Sequence, residues 1–238
     1  MNTPGTLYLI PTTLGKTPSN NTIPESVLEI IRSLNVFVVE NIQSAIRFLQ
    51  WVGDTQPTHQ IEFFVLNKRT PEQEAFSFIK PLLNGQNVGL LSEAGSPAVA
   101  DPGAILVKMA HSRKIPVSPL VGPSSILLAL MGAGFNGQQF AFHGYLPIDA
   151  KERKKKIQQL EYESRQNNCT QIFMEAPHRN NEMVSSVLEV CNLDTKFCSA
   201  TDLTLPTEEI ISQAISTWKA GTRPELHKRP TIFLLYSA

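Results

Sequence analysis

The chain has 238 residues, 42% of them hydrophobic, which is enough to bury a sizeable core in one large domain or two smaller ones. Its 21 Lys and Arg balance 21 Asp and Glu, so no global positive field draws it onto nucleic acid or an anionic membrane, and any grip on a polyanion has to be local. No apolar run approaches the roughly 20 residues that cross a bilayer, and the opening MNTPGTLYLIP lacks a charged signal region, so the chain is expected to be soluble and cytoplasmic. Cys169, Cys191 and Cys198 show no C-x-x-C spacing and are expected to be free thiols. The histidines have no pair at helical i, i+4 spacing, so no metal is expected.

The elements follow in chain order. GTLYLIP is an apolar strand ending in the loop TTLGKTPSNNTIP, and Val27, Leu28, Ile31 and Leu34 then mark one face of a helix. VFVVE is a second buried strand, and IQSAIRFLQWVG is a helix stopped by Gly53. IEFFVLN is a third strand. TPEQEAFSFIKPLLNGQ predicts a helix capped by Thr70 with Pro71 at its first position. Val88–Leu91 is short and apolar, as a strand covered on both faces should be, and Asp101 with Pro102 predicts the start of the next helix. This alternation predicts an α/β domain with a mainly parallel sheet.

At SRKIPVSPLVGPSS, three prolines stiffen a connection, which places a domain boundary between residues 115 and 116. The apolar ILLALMGAGF comes next, then a Lys/Arg-rich helix from about Ala150. A strand TQIFME, a helix after Pro177, a strand KFCSATDL, a helix over TEEIISQAISTWKAG and a strand TIFLLY complete the chain. This half, 116–238, predicts a second α/β layer with a mixed sheet, since its strands need not all be joined by helical crossovers.

Four junctions between strand and helix stand out: IPTTLGK, LSEAGSPAVADPG, PLVGPSS and FMEAPHR. Ligands of open α/β sheets bind outside the carboxyl ends of strands, so these junctions are candidates for one cleft. None has the glycine spacing of a dinucleotide fingerprint or a P-loop. In this order they resemble the tetrapyrrole methylase superfamily, the class III methyltransferases that use S-adenosylmethionine. Within it they are most similar to the small-subunit ribosomal RNA methyltransferase I family, in which the segments read GTLYxVATPIGN, SDAGTPxxSDPG, PLPGPSA and FYESPHR. The resemblance covers essentially the whole chain. It implies a two-domain tetrapyrrole-methylase-like fold and a homodimer. It also implies methylation of a ribose 2′-hydroxyl of 16S ribosomal RNA, with the small ribosomal subunit as partner. The segment 1–115 would shape the acceptor side and part of the S-adenosylmethionine cleft, and 116–238 would complete that cleft.

The resemblance assigns cofactor contacts to Pro11, Glu93, Ala94, Gly95, Ser96, Pro97, Gly122, Pro123, Ser124, Glu175, Ala176 and Pro177. A ribose hydroxyl attacks well only if its proton is accepted as it does so, which makes Glu40, Glu93 and His178 candidates for that step. Arg179 is a candidate for holding a phosphate or carboxylate, its plain alternative being an ion pair with Glu175 or Glu182. Glu93 reads equally as a turn acid, and Asp101 reads as a cap rather than a catalyst. KERKKK, residues 151–156, is either an RNA contact or a solvated helix face. The chain departs from the family pattern where AEDTR becomes VENIQ, keeping Glu40 but replacing the next three polar groups by Asn41, Ile42 and Gln43. HNE likewise becomes LNK, keeping only Asn67. Two alternatives stay open: C-methylation of a tetrapyrrole, which the shared superfamily allows, and a cofactor-binding protein without turnover, which the altered VENIQ segment motivates.

Overall fold

The computed structural model describes residues 3–16 and 22–237. The chain divides into two compact units, 1–124 and 125–238. The first holds strands β1 (Leu7–Ile10), β2 (Val36–Val39), β3 (Glu62–Val65), β4 (Val88–Leu91) and β5 (Val117–Pro119), and helices α1 (Glu25–Ser33), α2 (Ile42–Val52), α3 (Glu72–Ala75), α4 (Lys80–Leu83) and α5 (Ala104–Ser112). Its sheet is parallel throughout in the order β3-β2-β4-β1-β5. Strand alternation divides its apolar side chains between two faces. Ile10, Phe37, Val39 and Leu91 pack with Val27, Leu28 and Ile31 of α1 and Ala45, Leu49 and Val52 of α2. Leu7, Val36, Val38, Val88 and Leu90 pack with Phe78, Ile79 and Leu82 and with Leu106 and Ala110 of α5. Both faces are therefore covered, which is why these strands read as continuous apolar runs.

The unit boundary falls after Ser124, beyond the expected position at 115/116, because Val117–Pro119 pairs with β1. Its proline, Pro119, is tolerated because β5 is an edge strand. The single helix expected over 71–87 is interrupted: a 3-10 segment, Phe76–Ile79, separates α3 from α4. Pro81 has no N–H for the carbonyl of Ser77 and its ring crowds that carbonyl. Thr70 turns away from the helix, its Oγ1 accepting from Asn67 N–H at 3.0 Å and donating to Val65 O at 3.3 Å.

The second unit holds α6 (Ser125–Ala133), β6 (Phe140–Tyr145), α7 (Ala150–Asn167), β7 (Thr170–Met174), α8 (Asn180–Val190), β8 (Lys196–Thr201), β9 (Glu209–Ala214), α9 (Ile215–Ala220) and β10 (Thr231–Tyr236). Its sheet, β6-β7-β10-β8-β9, is mixed: β6 and β7 are parallel and the other pairs antiparallel. Phe233 of the central strand is fully buried, with ring centroids 5.9 Å from Phe173 and 5.8 Å from Phe197. Each such side chain contributes about 1.5–3 kcal/mol of burial. The helix expected over TEEIISQAISTWKAG is corrected: only Ile215–Ala220 is helical, while Glu209–Ala214 pairs antiparallel with β8 over its whole length. Adjacent β-branched Ile210 and Ile211 favour the strand, and the open edge of β8 decides it. Among the described residues, no helix is long and apolar enough to cross a membrane.

Candidate active site

The order β3-β2-β4-β1-β5 puts β1 and β4 side by side, while their onward connections run opposite ways, to β2 and to β5. That is a topological switch point, where a crevice opens at the carboxyl ends of the strands. Two residues pin the exits together there: Thr12 N–H donates to Gly95 O at 3.0 Å and Gly95 N–H to Thr12 O at 3.2 Å. Ser92 Oγ adds a bond to Gly95 O at 2.6 Å. Gly95 has φ +70°, which favours glycine, and a Cβ there would meet Leu14 at 3.0 Å. At Gly122 a Cβ would lie 2.2 Å from Pro11 Cγ, so the exits of β1 and β5 touch only because a side chain is missing. Pro11, Gly95 and Gly122 are thus brought onto one edge, with Glu93, Ala94, Ser96 and Pro97 in the turn after β4 and Pro123 and Ser124 in the turn after β5.

The turn after β4 is stiff and unusual. Ala98 and Ala100 hold φ of 63° and 60°, values that non-glycine residues seldom adopt. Asp101 supports them, its Oδ1 accepting from Ala98 N–H at 2.9 Å and Gly103 N–H at 2.8 Å. This corrects the expected helix start: α5 begins at Ala104, and its cap position is Gly103 without a side-chain bond. Asp101 braces the turn before the helix instead. Burial pushes its carboxyl above the usual range against the pull of those two N–H groups.

Glu40 directly follows β2 and lines a cavity of about 610 Å³ with Thr12, Ser92, Glu93 and Asn41. That volume lies within the range of small-molecule sites. Partial burial raises the Glu40 pKa, the negative charges of Asp101 and Glu93 raise it further, and Lys68 and the Glu93 N–H oppose them. Glu93 itself is exposed. Asn41, one of the departures from the family pattern, caps α2, its side chain accepting from Ser44 N–H at 3.1 Å.

The junction after β7 lies in the second unit. Glu175 is 4% exposed, and its Oε1 accepts from Ala176 N–H at 2.7 Å and from Arg179. Glu175 Oε2 and Arg179 Nε are buried with no partner among the described residues. Arg179 therefore takes up the ion pair with Glu175, while Pro177 and His178 are exposed. The basic run is less available than it reads. Arg153 is 4% exposed and donates to Ser186 Oγ at 3.0 Å and Ile148 O at 2.8 Å, and Lys154 pairs with Glu189 at 2.6 Å. Lys151 and Lys155 remain exposed.

Sequence reading missed the wall of the cavity. Ser44, Arg47, Phe48 and Trp51 of α2 line it, as do Thr13, Leu14, Gly15 and Lys16 after β1. The 44, 47, 48, 51 spacing is a helical face, and its partner element was needed to tell cavity from core. Among the described residues, no group of three or more potential metal-ligating side chains forms.

No protein-family model matches the chain. It is 30% identical over 217 residues to ribosomal RNA small subunit methyltransferase I of Vibrio cholerae, a match covering 90% of this chain and 71% of that protein. It is 31% identical over 208 residues to the Pseudomonas aeruginosa protein of that name, covering 87% and 70%. The chain belongs to the ribosomal RNA small subunit methyltransferase I family. It is accordingly a methyltransferase. The fold is shared with solved structures at low identity: diphthine synthase at TM-score 0.66 and 13% identity, covering 98% of this chain and 90% of that one. Uroporphyrin-III C-methyltransferase from Thermus thermophilus, complexed with S-adenosylhomocysteine, matches at TM-score 0.57 and 14% identity, covering 98% of each chain. In this chain the segment Val39-Glu40-Asn41-Ile42-Gln43 carries a carboxylate at Glu40 and the cap of α2 at Asn41.

Proposed function

We propose that the chain transfers a methyl group from S-adenosylmethionine to a ribose 2′-hydroxyl of small-subunit ribosomal RNA in the cytoplasm. The observation that carries this reading is the family membership, resting on 30% identity across 90% of the chain. Bound S-adenosylmethionine supplies an electrophilic methyl carbon on a sulfonium. In the proposed site, Pro11, the turn 93–97 and Gly122, Pro123 and Ser124 hold that donor through backbone groups. The stiffness of the turn, braced by Asp101, supports such a role, since a displacement reaction gains most from alignment. In the second unit, the buried Glu175 Oε2 has no partner among the described residues and is a ready acceptor for a hydroxyl or amino group, with Arg179 positioning the carboxylate.

Glu40 accepts the proton of the attacking hydroxyl in this reading. The Glu93 N–H orients its carboxylate, and the neighbouring charges of Asp101 and Glu93 raise its basicity. Glu93 contributes through its backbone and its charge. The test is transfer of labelled methyl to small ribosomal subunits from a strain lacking the gene, with naked ribosomal RNA and uroporphyrinogen as parallel acceptors. Label in the small-subunit RNA is expected. Label only in the tetrapyrrole, or donor binding with no label in any acceptor, would overturn the reading.

A further inference from the structure

The cavity at the carboxyl edge of the first sheet has one wall that the transfer step does not use. Ser44, Arg47, Phe48 and Trp51 stand on a single face of α2 and line the same space as Glu40 and Asn41. Phe48 and Trp51 are half-buried and stacked on each other, with centroids 5.7 Å apart and planes at 24°. Both pack partly against the core beneath α2, which makes them a rigid platform. Arg47 is exposed, its guanidinium donating to Ser44 Oγ at 3.0 Å, and Lys16 brings a second cation to the rim. Gln43, where the family pattern has its arginine, is absent from this lining, whereas Arg47 lies one helical turn farther along α2.

We infer that this face of α2 is the acceptor subsite, where Phe48 and Trp51 receive a nucleobase of single-stranded RNA and Arg47 and Lys16 hold the phosphates beside it. The inference rests on the RNA reading above and deepens it. Aromatic rings bind a base by its face whatever the sequence, and paired cations bind the backbone. A chain with no net charge needs such a local site, and the basic run on α7 is in part tied to α8. The cavity opens beside Glu40, so a nucleotide held there presents its ribose to the proposed proton acceptor.

The test uses the full chain and a single-stranded oligoribonucleotide of small-subunit ribosomal RNA sequence, followed by tryptophan fluorescence. Of the two tryptophans, Trp218 is 2% exposed and its indole N–H donates to Phe197 O, so a ligand in the cavity acts on Trp51. Quenching by the RNA is expected, and it should vanish in Trp51→Phe. Arg47→Gln and Phe48→Leu should each weaken RNA binding roughly tenfold, with S-adenosylmethionine affinity by calorimetry unchanged. Arg47 is exposed, so its replacement keeps the fold and the test holds even if Phe48→Leu misfolds. RNA affinity equal to wild type in Arg47→Gln would overturn the inference. So would a parallel loss of donor affinity, which would put the donor in this cavity. If the wild type methylates RNA while the α2 variants match it, the subsite fails and the function stands. If the wild type neither binds nor methylates RNA, the function fails and the subsite with it.

Discussion

Gly122→Ala tests the close approach that joins the exits of β1 and β5. The added Cβ would lie 2.2 Å from Pro11 Cγ and 2.6 Å from its Cβ, and both atoms belong to a ring that cannot rotate aside. The two exits must separate, an overpacking cost of about 1–3 kcal/mol. At roughly 2–4 °C per kcal/mol for a chain of this size, the melting temperature should fall by several degrees. Because Pro11 and the residues around Gly122 form one side of the proposed donor site, S-adenosylmethionine affinity should fall as well. Gly137→Ala is the matched control: its Cβ would meet nothing within 4 Å and its φ lies outside the left-handed region. That variant should melt at or slightly above the wild type. Scanning calorimetry and donor titration of the three proteins decide the matter. A Gly122→Ala protein with wild-type melting temperature and donor affinity would refute the argument that the bare glycine sets the geometry of this edge.

Glu40 should destabilise the protein that it serves. Its pKa is raised by burial and by the charges of Asp101 and Glu93, so in the folded chain ionisation is harder than in the unfolded one. The penalty is absent below the ordinary carboxylate range, where both states are protonated, and grows as pH rises to the elevated folded value. Denaturant titrations of Glu40→Gln should therefore match wild type in acid and show a more stable variant at neutral pH, while methyl transfer is lost; a gain that did not grow with pH would contradict the assignment. Glu161 is 7% exposed and accepts from Asn192 N–H at 2.8 Å, Asn192 Nδ2 at 2.9 Å and Thr195 Oγ1 at 2.5 Å. Glu161→Ala should cost about 2–4 kcal/mol by chemical denaturation, since several charge-assisted bonds are lost together. Arg153→Ala should cost about 2 kcal/mol through its bonds to Ser186 and Ile148, without changing the salt dependence of RNA binding. Exposed Lys155 is the opposite case: if it contacts RNA, Lys155→Ala leaves stability alone and lowers the salt slope by about one.

The elements of the first unit that could be read from the sequence are those whose apolar period and punctuation agree. Val88–Leu91 is apolar on both faces, and Gly53, with φ 69°, ends α2 where a C-terminal glycine should. Reading failed where tertiary pairing overrode local preference. TEEIISQAISTWKAG has the length of one helix, yet β8 offered an edge and Glu209–Ala214 took it. Val117–Pro119 is short and proline-bound, so only its hydrogen bonds to β1 reveal a strand. The edge residues of the candidate site were legible because glycine and proline mark backbone contacts that side chains would block. Arg47, Phe48 and Trp51 were not, since half-buried aromatics on a helix face look the same over a cavity as over a core. Nor could spacing show that Arg153 is buried within a run of exposed cations.

The most direct test of the central claim is the chemical position of the transferred methyl. Small subunits lacking the modification would be incubated with the purified chain and methyl-labelled S-adenosylmethionine, and their RNA digested with alkali. A methyl on a ribose 2′-oxygen removes the internal nucleophile that alkali requires, so the account expects the label in alkali-resistant dinucleotides. Label released in mononucleotides would place the methyl on a base and contradict the account.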